Sequence, residues 1–531
     1  MRYPVETFTS EEEALLRRHF TNLDRPVFCL VNLPETVKGA LFARYSRYPG
    51  TLRRLFLDEF AADVPDAGRP FDGVEGERAA GLYERVFMGY GDDSIAQVGG
   101  AHLGCEWASN VLTKILQRGR LAAYLEQSTR YIPYDEPMPA DAGAGYRYYS
   151  DDELGDSYRA AMDELFGIYS KGLAAVRAWA EERWPRGEEP ETAWRRSIRA
   201  KALDLMRGLL PASTLSHVGV FASGQAYEQL LLRLGASPLP EARAYGEMIH
   251  AELAKVIPSF VARVKRPDRG GEWIDYLRTR REATERAVAR LGLDRPAVSD
   301  APSVELIGVE GDEEDLLAAC LFESAAVGDA DVRRRICALD PLERAELIAA
   351  LAGERPNRRH RPGRGWEAVR YRFEIVSDYG GFRDLQRHRL LTCQWQRLGP
   401  HLGAGVPEEV REAGAGDDYE RALDLSRREF ERIQEAGLEE AAPYALCLGY
   451  RIRYVLDLNA REAMHLIELR SAREGHPTYR AVAQAMYERI AATHPAIARA
   501  MSHVDSSREP RLERILSEIR THRKRLAAAR G

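Results

Sequence analysis

The chain has 531 residues, 45% apolar and 30% charged, with a formal charge of −6 and a pI near 6.1. That length exceeds one ordinary core and favours two to four domains of a globular rather than disordered kind. The acidic balance argues against a protein that coats nucleic acid, and the absence of an apolar run of about 18 residues argues against a membrane-spanning helix.

Taken in order, Ser10-Glu11-Glu12-Glu13 reads as a capping box opening a helix to about His19. The start, Met1-Arg2-Tyr3-Pro4, lacks the apolar core of a signal peptide, so a cytoplasmic location is expected. Val27-Phe28-Cys29-Leu30-Val31 is either a strand or a buried helical segment. Pro34-Glu35 starts a helix with Val37, Ala40, Leu41 and Tyr45 at helical spacing. Residues 64–76 read as a loop, Gly91-Asp92-Asp93-Ser94 as a turn or cap, and helix-compatible sequence follows towards Arg118. After a loop over 133–145, helices are expected over about 151–184 and 194–209, then one carrying Tyr227, Leu230, Leu231 and Leu234. A segment over 247–264 should split or kink at Pro258, and a polar helix runs from about 273 to 293.

The pattern then resets. Val304 to Val309 alternates like a strand and Glu313 to Phe322 is helical, which sets a boundary near residue 300 and units of 1–295 and 300–531. Tyr371 to Ile375 alternates again, Asp418 to Gln434 and Asn459 to Arg473 are helical, and a basic helix over 507–529 closes the chain. Leu512, Ile515, Leu516 and Ile519 mark its inner stripe; a solvated helix with one packed face is favoured over a nucleic-acid arm.

Two short stretches nearly repeat: Leu116-Gln117-Arg118-Gly119-Arg120-Leu121 and Leu385-Gln386-Arg387-His388-Arg389-Leu390. A long-period duplication follows. The tails differ. The first copy continues to Glu126-Gln127-Ser128-Thr129-Arg130-Tyr131, an acid, an amide, hydroxyls and a fork suited to a nucleotide's sugar, base and phosphate. The second copy has Trp395-Gln396-Arg397-Leu398-Gly399-Pro400 there. On a regular helix Arg387, His388 and Arg389 would splay by about 100° each, which suits wrapping a polyanion. Asn459-Ala460-Arg461-Glu462 reads as an N-cap with an acid at N3, and a helix N-terminus with an arginine in its first turn is an anion site. His465 lies one turn beyond Arg461, and Arg470 follows. The basic run from Arg355 to Arg372, with Arg358, Arg359, His360, Arg361 and Arg364, could meet a phosphate, but as a lone charge run a solvated face is the favoured reading.

The cysteines are scattered without a CxxC pair, there is no His-Glu-x-x-His, and no metal site is expected. Walker and Gly-x-Gly-x-x-Gly loops are absent too, so any dinucleotide would bind outside a Rossmann fold. No serine sits in a nucleophile elbow.

These residues resemble the flavin-dependent thymidylate synthases. Their signature is Arg-His-Arg, seven residues, then Ser-x-Arg-Tyr. The second copy keeps Arg387-His388-Arg389, and the first keeps Arg118, Arg120, Ser128, Arg130 and Tyr131 with Gly119 for the His. The family's later Asn-x-Arg, next-turn polar residue and downstream Arg resemble Asn459, Arg461, His465 and Arg470; its Arg before a Leu-Pro resembles Arg207. Anchored on Arg233, the first half offers Ala222, Gly224 and Glu228 instead. Asp384 stands where a Gln is common.

The resemblance implies a helix-rich α/β (α+β) fold of two tandem thymidylate synthase-like units, each with a small sheet and helices. It implies FAD held by Arg387, His388, Arg389, Asn459, Arg461 and His465, and dUMP held by Glu126, Gln127, Ser128, Thr129, Arg130, Arg207, Arg387 and Arg470. The second half would keep the flavin side and the first the dUMP side, in one composite site per chain. Two chains would form a homodimer that rebuilds a pseudo-tetramer. The reaction implied is reductive methylation of dUMP to dTMP with methylenetetrahydrofolate and NADPH, in which Arg470 stabilises charge as uracil N3 ionises. The alternatives are a flavoprotein of this fold acting on another nucleotide or folate, and a non-catalytic nucleotide-binding relative.

Overall fold

In a computed structural model, residues 3–64, 96–97, 99–139, 144–296, 298 and 301–528 are described. The expected 91–94 turn and nearly all of the 64–76 loop lie outside those residues. The chain divides into two compact units interleaved in sequence: 1–170, 209–296 and 421–447 form the first, and 171–208, 297–420 and 448–531 the second. Segment 171–208 therefore packs with the second half of the sequence and 421–447 with the first, an exchange that one boundary near 300 does not contain.

In the first unit Val27–Leu30 (β1), Gly100–Ser109 (β2), Ala122–Glu126 (β3) and Leu215–Ser223 (β4) form an antiparallel sheet of order β1-β2-β4-β3. The Val27 run is thus a strand. β2 lies where the sequence suggested helix. Nearly all of it is buried, so no polar–apolar alternation marks it, and its pairing partner β4 is about a hundred residues away. A core of Leu16, Phe20, Phe28, Leu41, Phe42, Tyr45, Leu52 and Phe56 packs beside it. The first helix, Ser10–Leu16, is capped by Thr9, one residue earlier than the sequence suggests, because the Thr9 hydroxyl accepts from Glu12 N and the Glu12 carboxylate from Thr9 N.

In the second unit Ser303–Glu310 (β5), Arg370–Asp378 (β6), Thr392–Trp395 (β7) and Arg451–Asn459 (β8) have the corresponding order β5-β6-β8-β7, again antiparallel. Each unit repeats one course. A long strand ends on an N-cap, Ser109 or Asp378, of a seven-residue helix, Asn110–Leu116 or Tyr379–Leu385. A turn carrying the Arg-x-Arg motif follows, then a short strand. The unit's fourth strand ends on the N-cap, Ser223 or Asn459, of the helix Gly224–Gly235 or Ala460–Arg470. The duplication is therefore one of topology. It also sets Ser223, not Ala222, opposite Asn459.

The helices expected over 151–184 and 194–209 are Gly155–Arg183 and Glu191–Met206. The segment meeting Pro258 begins earlier than expected, as Pro240–Val256, and restarts at Pro258–Val261. The closing helix is Ile515–Ala528 rather than starting at 507. Leu512 and Ile515 pack on Ala180 and Ile198, whereas Leu516 is 45% exposed and does not belong to the packed stripe. No described helix is long and apolar enough to cross a membrane.

Candidate functional site

The Tyr379–Leu385 helix stops before the motif, so Arg387-His388-Arg389 lie in the turn leading to β7 and do not splay around a helix. The turn drives His388 inward, to 7% exposure, while Arg387 stays exposed and Arg389 half-buried. His388 Nδ1 is 2.9 Å from Glu462 Oε1, and Arg470 Nε donates to His388 Nε2 at 3.0 Å. An arginine can only donate, so Nε2 must carry the lone pair and Nδ1 the proton, which Glu462 accepts. Burial, then the Arg470 and Arg361 charges, hold the His388 pKa well below its usual value; burial raises that of Glu462. Both shifts oppose a full ion pair, which agrees with a neutral imidazole bridging a carboxylate and a guanidinium.

Arg470 is the last residue of the 460–470 helix, and its guanidinium lies 5.5 Å from the Tyr479 ring centroid. Asn459 Oδ1 accepts from Glu462 N at 2.9 Å, and this cap fixes the turn that carries Glu462 towards His388. His465, one turn on, has both ring nitrogens 3.2 Å from Arg361 Nη2; burial and the nearby cations lower its pKa to about 4. Arg461 donates to the Pro362 carbonyl at 2.9 Å, with Glu367 3.8 Å away.

Arg207, which ends the Glu191–Met206 helix, joins these residues in the second unit. It is 3% exposed; its Nη1 meets Asp384 Oδ2 at 3.2 Å, and its Nη2 is buried without a hydrogen-bond partner. Asp384 Oδ1 is 3.8 Å from Arg387 Nη1. Arg207 and Arg387 thus face one carboxylate, whose charge also acts on Arg470.

Among the described residues, His388, Glu462 and His465 bring ligand-type atoms within 4.8 Å of one another. A cation fits this set poorly, since both nitrogens of His388 are engaged and Arg361 and Arg470 crowd it with positive charge. The guanidiniums of Arg361 and Arg461, near the N-terminus of the 460–470 helix, suit an anionic group far better.

The 126–130 run lies in the first unit. Glu126 is buried, 3.2 Å from Lys114 Nζ, and accepts from Gln117 at 3.0 Å. Gln127 donates to the Tyr48 carbonyl at 2.6 Å and accepts from Arg147 Nη2 at 2.7 Å. Ser128 Oγ accepts from Arg130 N at 3.2 Å, Thr129 is buried, and Ser128 and Arg130 are half-buried. Glu126 and Gln127 thus brace the segment that presents Ser128 and Arg130. Where the second unit has His388 the first has Gly119, and a Cβ there would stand 2.7 Å from the Tyr124 hydroxyl, so a side chain at this turn requires Tyr124 to shift.

Sequence reasoning missed Glu462 as the partner of His388, having read it as a cap acid. It missed Arg147 altogether, whose guanidinium sits over Trp107 and Tyr134. Nor is the basic run wholly solvated: Arg355 pairs bidentately with buried Glu468, the two side chains 3% and 1% exposed. The signal was a glutamate on the inner side of the 460–470 helix, which requires a cation.

The family described as thymidylate synthase complementing protein matches residues 58–259 and 337–496, one segment for each motif copy. The chain belongs to this family. Its relatives include a UPF0159 protein of Chlamydia muridarum, 37% identical over 92% of this chain and 94% of that protein. Another, from Thermoplasma acidophilum, is 30% identical over 86% of this chain and 93% of its own length. A solved structure of the UMP/dUMP methylase PolB from Streptomyces cacaoi, bound with 5-Br dUMP, is 19% identical; it covers 40% of this chain and 100% of its own, with a TM-score of 0.33. As a member of the thymidylate synthase complementing family, the chain carries the two motif copies in unequal repair, Arg-His-Arg intact in the second and Ser-x-Arg-Tyr in the first.

Proposed function

We propose that the chain methylates dUMP at C5 to give dTMP, with FAD as resident cofactor and with methylenetetrahydrofolate and NADPH as co-substrates. The observation that carries this reading is buried Arg207, whose Nη2 lacks a partner, beside half-buried Arg470 and exposed Arg387, in a chain of this family. A buried guanidinium donor is costly to leave unpaired, and an anionic ligand relieves that cost. Arg207 and Arg387 are assigned to the nucleotide phosphate. Arg470, held by His388, is assigned to the uracil edge, where it stabilises the charge that develops as N3 ionises. Ser128 and Arg130 are assigned to the same nucleotide by the resemblance. Asn459, Arg461, His465 and the 387–389 turn are assigned to the flavin, whose bound form supplies the reducing equivalents. No protein nucleophile is invoked: Cys393, the thiol nearest the motif in sequence, lies in β7. Two chains are expected to associate as a pseudo-tetramer of four such units.

One observation favours the second reading, a same-fold flavoprotein acting on another nucleotide. Asp384 brings a carboxylate into the arginine set where the resemblance expects an amide. Purification decides the cofactor. The protein should be yellow, carry one flavin per chain, and bleach anaerobically with NADPH; a colourless protein that fails to take up added FAD contradicts the assignment, and two flavins per chain contradict the division of labour between the copies.

A further inference from the structure

Asp384 has no part in the reaction as written above, yet it holds the centre of the arginine set. Its carboxylate meets Arg207 Nη1 at 3.2 Å and Arg387 Nη1 at 3.8 Å, and its field reaches Arg470. The nearest other acid on the same strand–helix junction is Asp378, which is engaged with the Gly381 N–H and the Thr478 side chain. Asp378 also feels the Arg207 charge, though burial raises its pKa, and it is Asp384 that makes the ion pair with Arg207. It leaves Nη2 of that same guanidinium buried and unpaired.

We propose that Asp384 is a built-in anion that sets the charge of the ligand this arginine set accepts. It offsets part of the positive charge of Arg207 and Arg387, the two arginines assigned to the phosphate. The remainder suits a single phosphate monoester, which carries about −1.5 to −2 at pH 7. A ligand anion that reaches Arg207 Nη2 must share one guanidinium with Asp384, and the like-charge repulsion grows with the ligand's charge. A nucleoside monophosphate is admitted and a more highly charged di- or triphosphate is disfavoured. An amide at this position would lift the discrimination. The inference deepens the nucleotide reading and rests on it for the substrate class, but it is tested with simple anions.

The experiment is calorimetric titration of the flavin-loaded full chain with inorganic phosphate and with pyrophosphate, for wild type, Asp384→Asn, Asp384→Gln and Arg207→Met. Asp384→Asn is nearly isosteric and keeps an acceptor for Arg207. Wild type should bind phosphate at least as tightly as pyrophosphate. Asp384→Asn and Asp384→Gln should tighten phosphate at least tenfold and pyrophosphate by more, with a steeper dependence on salt. Arg207→Met should remove this binding. Phosphate affinity unchanged or weakened in both Asp384 variants overturns the proposal, as does wild-type preference for pyrophosphate or binding that survives Arg207→Met. The wild-type ratio stands whether or not a variant folds. The two ideas fail separately: altered anion selectivity without dTMP formation removes the methylation reading alone, and dTMP formation with unaltered selectivity removes this inference alone.

Discussion

The Glu462–His388–Arg470 chain makes the most demanding prediction. Glu462→Ala removes the acceptor of His388 Nδ1–H. If the proton stays, a buried donor is left unsatisfied at a cost of about 1–3 kcal/mol. Burial already disfavours the Glu462 charge, and its loss recovers part of that, so the lower end of the range is expected. If the proton moves to Nε2, that nitrogen becomes a donor facing the donor Nε of Arg470, 3.0 Å away, and the guanidinium must turn. Displacing a catalytic group by about 1 Å can cost on the order of 100-fold in rate, so kcat should fall by roughly that factor with KM for dUMP little changed. Glu462→Gln keeps an oxygen acceptor and should recover most of the rate. The assay pairs steady-state kinetics with nitrogen NMR of the His388 ring, which should be Nδ1-protonated in wild type and mixed in Glu462→Ala. A Glu462→Ala protein with wild-type kcat, or a Glu462→Gln protein as impaired as Glu462→Ala, refutes the reasoning.

Three further outcomes are expected. Burial raises the pKa of Glu241 from 4.5 to about 7, against the hydrogen bonds it accepts from Ser109 and Tyr444. A raised native pKa gives stability that is present below about 4.5 and lost as pH rises through 7; relative to Glu241→Gln, wild type should therefore lose up to roughly 3 kcal/mol between those values in urea melts. Arg355→Met strands the Glu468 carboxylate and should cost about 3–5 kcal/mol by the same measurement, whereas truncating exposed Arg364 should leave the urea midpoint unchanged. Asn459→Ala should cost about 1 kcal/mol through the lost cap and should weaken flavin retention, read by dialysis and absorbance.

What could be read from the sequence follows physical lines. Helices with one apolar face, such as Gly416–Glu435, and the alternating strand β6 announce themselves through period. β2 does not, because burial on both sides removes the alternation, and its partner lies in a distant segment. The motif copies were legible as chemistry: Arg387, His388, Asn459 and Arg470 were singled out by type and order, and the fold brings them together. Their mutual geometry was not. That His388 is a bridge depends on Glu462 arriving from another helix, and that Arg207 meets Asp384 depends on segment 171–208 packing with the second unit, which no local pattern encodes. The first unit's loss of the histidine was visible as Gly119; that the Tyr124 hydroxyl crowds this position was visible only in three dimensions.

The central claim is met most directly by tritium release from dUMP labelled at C5, with FAD-loaded protein, methylenetetrahydrofolate and NADPH. The account predicts release matched by dTMP formation and abolished in Arg470→Ala. Flavin bound and reduced by NADPH, with neither tritium release nor dTMP, would contradict it.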